Sequence, residues 1–144
     1  MQPDRPAWRP LGRQPTVLAQ LPNLPGDDPR KAAVNAILVF EGAVFAGCGD
    51  CAIRRFSLAS GQCEATLQGH RGFVSCFGLM RYARTGGPAP MLLLSGSYDH
   101  RIHVWATAGR DAPITVLQGH RGVVHDLVVD DSDVFSAGHE GTVR

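Results

Sequence analysis

Two groups of residues have side chain types that could do chemistry. Cys48 and Cys51 form a C-x-x-C motif, a spacing used both by zinc sites and by redox-active thiols. Ser95, His70 and Asp99 supply the residue types of a hydrolytic catalytic triad. The function of each group depends on the elements that position it and on the further residues beside it.

The C-x-x-C motif lacks the additional ligands that a zinc site requires. A tetrahedral zinc site would need two more ligands, and a redox thiol would need a helix start beside it. His100 and His103 are the nearest candidates, but their odd spacing on a strand places them on opposite faces. The sequence therefore predicts no metal and no cofactor.

The chain repeats itself, and the repeat governs the interpretation of both groups. Gly-His-Arg occurs at residues 69–71 and again at residues 119–121. Between the copies lies a run from Leu94 to Trp105, Leu-Ser-Gly-Ser-Tyr-Asp-His-Arg-Ile-His-Val-Trp. Self-similar units of this kind bury their faces on their neighbours, so the period points to a repeat architecture.

Three units can be aligned on one another. Their first strands are predicted to start at Val34, Val74 and Val124, and the first and third units align without a gap. The middle unit carries an insert within residues 81–90. Alternating apolar residues such as Leu92 and Leu94 predict half-buried strands in each unit.

The order of these signals, Gly-His, an apolar Ser-Gly-Ser run, an Asp turn and a strand ending in Trp105, resembles the WD40-repeat family. The resemblance covers about residues 33–144. It implies an all-β fold of β-propeller blades, each a four-stranded antiparallel sheet with strands a to d. It also implies a protein-binding module that carries no chemistry.

The resemblance assigns a structural network to the middle unit: His70, Ser95, Asp99 and Trp105. A buried indole needs an acceptor, which the serine hydroxyl supplies, and the histidine then links serine to aspartate. Because the hydroxyl is tied to the tryptophan and no oxyanion donors are evident, we favour this structural role over a catalytic triad.

The other two units match the network less completely. In the third, His120, Ser136 and Glu140 match, with glutamate in place of aspartate and no tryptophan. The first unit departs further, because only its acid remains. Its four positions hold Arg30, Ala46, Asp50 and Phe56.

A candidate protein-binding rim follows from the network. Since His70 and Asp99 must meet, the d–a loops and b–c turns share one rim of the propeller. That rim is expected to display the following residues: Arg71, Tyr98, Arg101 and Arg121, together with Lys31 and Cys51. Arginine and tyrosine are enriched in protein interfaces, whereas the insert is expected on the opposite rim.

The chain is expected to divide into an arm, a linker and the repeats. Prolines in residues 1–15 predict a disordered arm, and residues 16–32 form a linker in which Thr16-Val17-Leu18 resembles an outer strand d. The repeats are expected at about residues 33–68, 69–118 and 119–144, the last truncated within strand c. Because propellers close with at least four blades, we expect an incomplete, open arc.

Composition removes several classes of function. A net charge of +1 gives no electrostatic case for nucleic acid or a membrane surface as partner. Four cysteines and no secretory signal favour a cytoplasmic or nuclear protein that is not secreted. The sequence therefore predicts a noncatalytic scaffold or adaptor that binds other proteins. Two alternatives stay open: a truncated product with no stand-alone function, and a thiol or zinc enzyme built on Cys48 and Cys51.

Overall fold

A computed structural model describes residues 33–82, 89–108, 111–130 and 133–144, and this part of the chain forms three antiparallel sheets. The first sheet contains β1 (Val34–Phe40), β2 (Ala43–Cys48), β3 (Ile53–Ser57) and β4 (Cys63–Leu67). The middle sheet contains β5 (Val74–Arg81), β6 (Met91–Ser97), β7 (Ile102–Ala106) and β8 (Thr115–Leu117). The third contains β9 (Val124–Asp130) and β10 (Asp133–Gly138). In each sheet, strands adjacent in sequence pair with one another.

The third sheet continues beyond β10 into the residues that follow it. Val143 forms an antiparallel bridge with Ala137. Ser136 and Arg144 exchange backbone N–H···O bonds of 2.8 and 2.9 Å. Residues 142–144 therefore lie along the edge of β10, where β7 lies along β6 in the middle sheet.

The predicted all-β architecture is confirmed. The first and middle sheets are four-stranded antiparallel meanders, and the described residues form no closed barrel. They also contain no helix long and apolar enough to cross a membrane. β1, β5 and β9 begin at Val34, Val74 and Val124, the three positions that the repeat equates.

A tight turn follows the second strand of each of the three sheets. Cys51 and His100 adopt φ angles of 70° and 69°, and Gly141 at the matching position adopts 80°. A non-glycine residue in this left-handed region carries a conformational cost, so the surrounding turn must hold it in place. This shared backbone geometry supports the alignment of the three units.

The middle sheet is packed between the other two. Leu93 and Trp105 belong to a buried cluster with Phe45 of the first sheet. Leu94 belongs to a second cluster with Val124 of the third sheet. β6 is therefore buried on both faces, and the expectation of half-buried strands is wrong for it. Sheet stacking, which single-strand periodicity does not encode, is the physical reason.

Two glycines allow the sheets to approach closely. A Cβ added to Gly47 would lie 2.6 Å from Val74 Cγ1, and one added to Gly96 would lie 2.7 Å from Val124 Cγ1. The first residue of each following sheet therefore packs directly on the backbone of the sheet before it. Packing this close needs a residue without a side chain.

Several sequence-based predictions fall outside the described residues. They concern the arm of residues 1–15, the linker with Thr16-Val17-Leu18, Arg30, Lys31, and residues 83–88 of the insert. At the base of that insert, the Tyr82 amide donates a 2.9 Å hydrogen bond to the Pro90 carbonyl.

Candidate protein-binding rim

The structure brings the four predicted residues of the middle sheet into one hydrogen-bonded chain, here called the middle network. The Trp105 indole N–H donates to Ser95 Oγ at 2.8 Å. Ser95 Oγ lies 2.7 Å from His70 Nε2, and His70 Nδ1 lies 2.8 Å from Asp99 Oδ2. When Nδ1 donates to the carboxylate, Nε2 accepts from the serine hydroxyl, so every polar group is satisfied.

Asp99 also fixes the backbone of two arginines. Its carboxylate accepts the amide of Arg71 at 2.8 Å and the amide of Arg101 at 3.0 Å. Burial opposes ionisation of Asp99, but the hydrogen bonds from His70 and the Arg71 amide hold its pKa well below the usual range. The ionised carboxylate thus joins the d–a loop to the b–c turn.

The third sheet repeats this arrangement without an indole. His120 lies between Ser136 Oγ, at 2.7 Å from Nε2, and Glu140 Oε1, at 2.5 Å from Nδ1. The Arg121 amide donates to the same carboxylate at 3.4 Å. Hydrogen bonds from His120 and Thr142 lower the pKa of Glu140 to about 2. We call His120, Ser136 and Glu140 the third network.

In the first sheet the acid has a different partner. Asp50 accepts two hydrogen bonds from the Arg54 guanidinium, at 3.0 and 2.6 Å. Burial opposes ionisation of Asp50, but this bidentate pair lowers its pKa overall. Sequence reasoning missed Arg54. The available signal was that Arg54, His103 and Arg144 all stand four residues after the acid of their turn, and all are basic types.

The four predicted rim residues all lie at the surface: Arg71, Tyr98, Arg101 and Arg121 are exposed. We call them the arginine rim. Tyr98 is 50% exposed and its ring packs on Phe73, with ring centroids 5.5 Å apart. Its amide also donates to the Phe73 carbonyl at 2.9 Å. These contacts hold the tyrosine in place while its outer face stays open to solvent.

Comparison with known protein families finds a match in the middle of the chain. Residues 61–106 match the WD40 family, described as WD domain, G-beta repeat. This segment contains the whole middle network. The chain belongs to the WD40-repeat family.

Several curated proteins are similar to this chain. An uncharacterized WD repeat-containing protein of Schizosaccharomyces pombe is 31% identical over 104 residues, covering 70% of this chain and 26% of the relative. The ribosome biogenesis protein YTM1 of Meyerozyma guilliermondii is 29% identical over 113 residues, covering 72% of this chain and 23% of the relative. The small ribosomal subunit protein RACK1 of Saccharomyces cerevisiae is 32% identical over 87 residues, covering 56% of this chain and 25% of the relative. The alignments with these three relatives thus span about a quarter of each relative's length.

His103 is an addition to the middle WD40 network that sequence reasoning did not foresee. Its ring stacks on His70 with centroids 3.8 Å apart and planes 17° from parallel. The side chain is buried, and neither ring nitrogen has a hydrogen-bond partner among the residues that the structure describes. Burial, with a smaller contribution from the neighbouring His70, lowers the pKa of His103 to about 4. The ring therefore stays neutral near pH 7.

One group of potential metal ligands occurs among the described residues. Ligand atoms of His70, Asp99 and His103 lie within 4.8 Å of one another. However, nearly parallel stacked imidazoles direct their nitrogen lone pairs along parallel planes, which cannot converge on one ion at the usual 2.0–2.1 Å. His70 also uses both nitrogens within the network. The arrangement does not fit a metal ion.

The residue types of a triad do not form a reaction centre here. Ser95 is fully buried, and its oxygen already accepts the Trp105 N–H. A nucleophile must reach its substrate, so this hydroxyl is unsuited to attack.

Cys48 is also fully buried, and its thiol donates to the Ala46 carbonyl at 3.5 Å. Burial raises the pKa of Cys48, which disfavours the thiolate that a zinc or redox site needs. Cys51 lies in the turn, half-buried.

Proposed function

We propose that this WD40 chain is a noncatalytic protein-interaction scaffold of the cytoplasm or nucleus, and that the arginine rim is its binding surface. The observation that carries the proposal is the attachment of the rim to the networks. Asp99 binds the amides of Arg71 and Arg101, and Glu140 binds that of Arg121. Three arginine side chains thus project from backbone that is already ordered.

Ordered backbone favours binding because less entropy is lost when a partner arrives. The guanidinium groups can form bidentate hydrogen bonds with carboxylates, and the Tyr98 ring adds apolar contact area. The best-fitting partner is therefore a protein segment that carries aspartate or glutamate next to an apolar residue. Two of the relatives are named for the ribosome or its biogenesis, which supports a place in a larger assembly.

The matched test compares two charge reversals in the middle sheet. Arg101→Glu changes the arginine rim, whereas Arg81→Glu changes an exposed arginine at the end of β5, on the opposite rim. Partners recovered with the tagged chain are quantified by mass spectrometry for the parent and both variants, after circular dichroism confirms equal folding. We expect Arg101→Glu to reduce the recovery of the specific partners at least tenfold, and Arg81→Glu to leave their recovery unchanged. Equal recovery by both variants would exclude the arginine rim.

The second candidate is that this chain has no stand-alone function. Exposed apolar side chains favour it: Ile37 and Val39 on the outer face of the first sheet, and Val128 and Phe135 on that of the third, are 46–69% exposed. Such faces promote association of soluble proteins. Gel filtration with light scattering separates the candidates, because a scaffold gives a defined monomer or closed oligomer and the incomplete product gives polydisperse aggregates.

A further inference from the structure

Two histidines of the third sheet contact one another at the surface. His125 Nε2 lies 3.1 Å from His139 Nδ1, and the ring centroids are 5.3 Å apart. Both residues are exposed. They are 14 residues apart in the chain, so it is the fold that brings the two imidazoles together. The third network uses neither of them.

The backbone around the pair fixes where the two rings stand. The pairing of β9 with β10 shifts between Ala137 and Gly138, which leaves His125 as the extra residue of a β-bulge. A bulge of this kind re-aims a side chain at the end of a strand. The His139 amide donates a 2.8 Å hydrogen bond to the Val123 carbonyl. Both imidazoles therefore project from ordered backbone.

The repeat itself does not require histidine at either position. The counterparts of His125 and His139 are Ser75 and Tyr98 in the middle sheet, which has the same bulge at Ser75. The middle sheet packs against a neighbouring sheet on each face, yet Tyr98 is 50% exposed. The position of the tyrosine is therefore open to solvent whether or not another sheet packs beside it.

The distance between the two nitrogens fits a shared metal ion. Imidazole nitrogens bind divalent transition-metal ions at about 2.0–2.1 Å. Two nitrogens 3.1 Å apart, each at that bond length, subtend an angle of about 98° at the ion. This angle lies between the values of square-planar and tetrahedral sites, which are both used by ions that imidazole binds.

The angle between the two rings also suits one ion. The ring planes are 68° apart, so they intersect, and lone pairs in both planes can point to one place on the line of intersection. The stacked rings of His70 and His103, 17° from parallel, lack this property. Rotation of an imidazole about χ2 meets only broad energy wells, so the exposed rings can turn from each other towards a common ion.

We propose that His125 and His139 form a binding site for one divalent transition-metal ion of the kind that imidazole favours, such as Ni²⁺, Cu²⁺ or Zn²⁺. The ion takes the place of the proton that joins the two rings. The group of three ligands among the described residues lies elsewhere, beside the middle network, so water completes the coordination here. The site does not rest on the proposed function, because the metal alone tests it.

Isothermal titration of the untagged chain with Ni²⁺ tests the site, since nickel favours imidazole over the thiolate of the exposed Cys63. His125→Ser and His139→Tyr, here called the pair variants, copy the middle sheet and each remove one ligand. His100→Gly is the matched control, because it removes another exposed histidine and copies Gly141 of the equivalent turn. We expect the parent and the control to bind one Ni²⁺ per chain. The pair variants should bind it at least about tenfold more weakly, because a linked second donor acts at high effective concentration.

Thermal unfolding provides a second measurement of the same site. Only the folded chain brings the two rings together, so bound Ni²⁺ stabilises the folded state. Ni²⁺ at about a hundred times the dissociation constant of the parent should raise the Tm of the parent and of His100→Gly by at least about 6 °C, and that of the pair variants by about half as much or less. Circular dichroism confirms folding, and if one pair variant does not fold, the other is sufficient. Equal Ni²⁺ affinity in the parent and the pair variants, or loss of binding in His100→Gly, would overturn the proposal.

Discussion

Trp105 is the residue whose removal should destabilise the middle sheet most. Its side chain is fully buried, and its indole N–H donates a 2.8 Å hydrogen bond to Ser95 Oγ. Truncating a buried tryptophan to alanine costs about 3–5 kcal/mol, and leaving the Ser95 hydroxyl with one partner fewer adds about 1 kcal/mol. Small domains are stable by only 5–15 kcal/mol. We therefore expect Trp105→Ala to lower Tm by more than about 12 °C.

Trp105→Phe keeps the fold measurable if the alanine variant does not fold. It retains an aromatic ring and removes the indole N–H, so we expect a loss of about 1–2 kcal/mol. Leu58→Ala, at a side chain that is 46% exposed, is the surface control and should change stability by less than about 0.5 kcal/mol. Thermal and urea unfolding are followed by circular dichroism. If Trp105→Ala melts together with Leu58→Ala, the middle network does not stabilise the sheet.

The close sheet packing, the buried histidine and the insert give the remaining predictions. Gly96→Ala should cost on the order of 2 kcal/mol in urea unfolding, because its Cβ would lie 2.7 Å from Val124 Cγ1; an unchanged midpoint would refute the packing. The pKa of His103 is lowered to about 4 from 6.5, so between these values the unfolded chain binds more protons, and the free energy of unfolding decreases by up to about 3 kcal/mol as the pH is lowered from 6.5 to 4. His103→Leu should flatten this dependence and keep stability at pH 7; an unchanged slope in unfolding free energy from pH 6.5 to 4 would contradict it. Replacing residues 83–89 by an Asn-Gly turn should preserve Tm, since the Tyr82 amide and Pro90 carbonyl are already 2.9 Å apart; a collapse in folded yield would show that the insert packs.

The strand order and the contacts of the middle network could be predicted because the repeat carries them. The three valines start their strands as expected, and His70, Ser95, Asp99 and Trp105 meet. Each of these features depends on spacing within one unit. Local spacing is what an internal alignment records.

Features that depend on contacts between side chains of neighbouring elements could not be predicted in the same way. Arg54 and His103 occupy matching positions, yet Arg54 binds the acid of its turn and His103 stacks on His70. A longer guanidinium reaches the carboxylate, whereas in the middle sheet His70 already occupies that acid. The burial of both faces of β6 likewise depends on the stacking of three sheets.

Photocrosslinking from the arginine rim tests the central claim most directly. A benzophenone amino acid is introduced at Tyr98 and, in a second chain, at the exposed Gln62 in the β3–β4 loop of the opposite rim. Both chains are irradiated in cells, and crosslinked peptides are identified by mass spectrometry. The account predicts that Tyr98 gives discrete crosslinks to protein segments rich in aspartate or glutamate, that Arg101→Glu abolishes them, and that Gln62 gives none of them. Crosslinks that are as strong from Gln62, or that persist with Arg101→Glu, would contradict the assignment of the arginine rim as the binding surface.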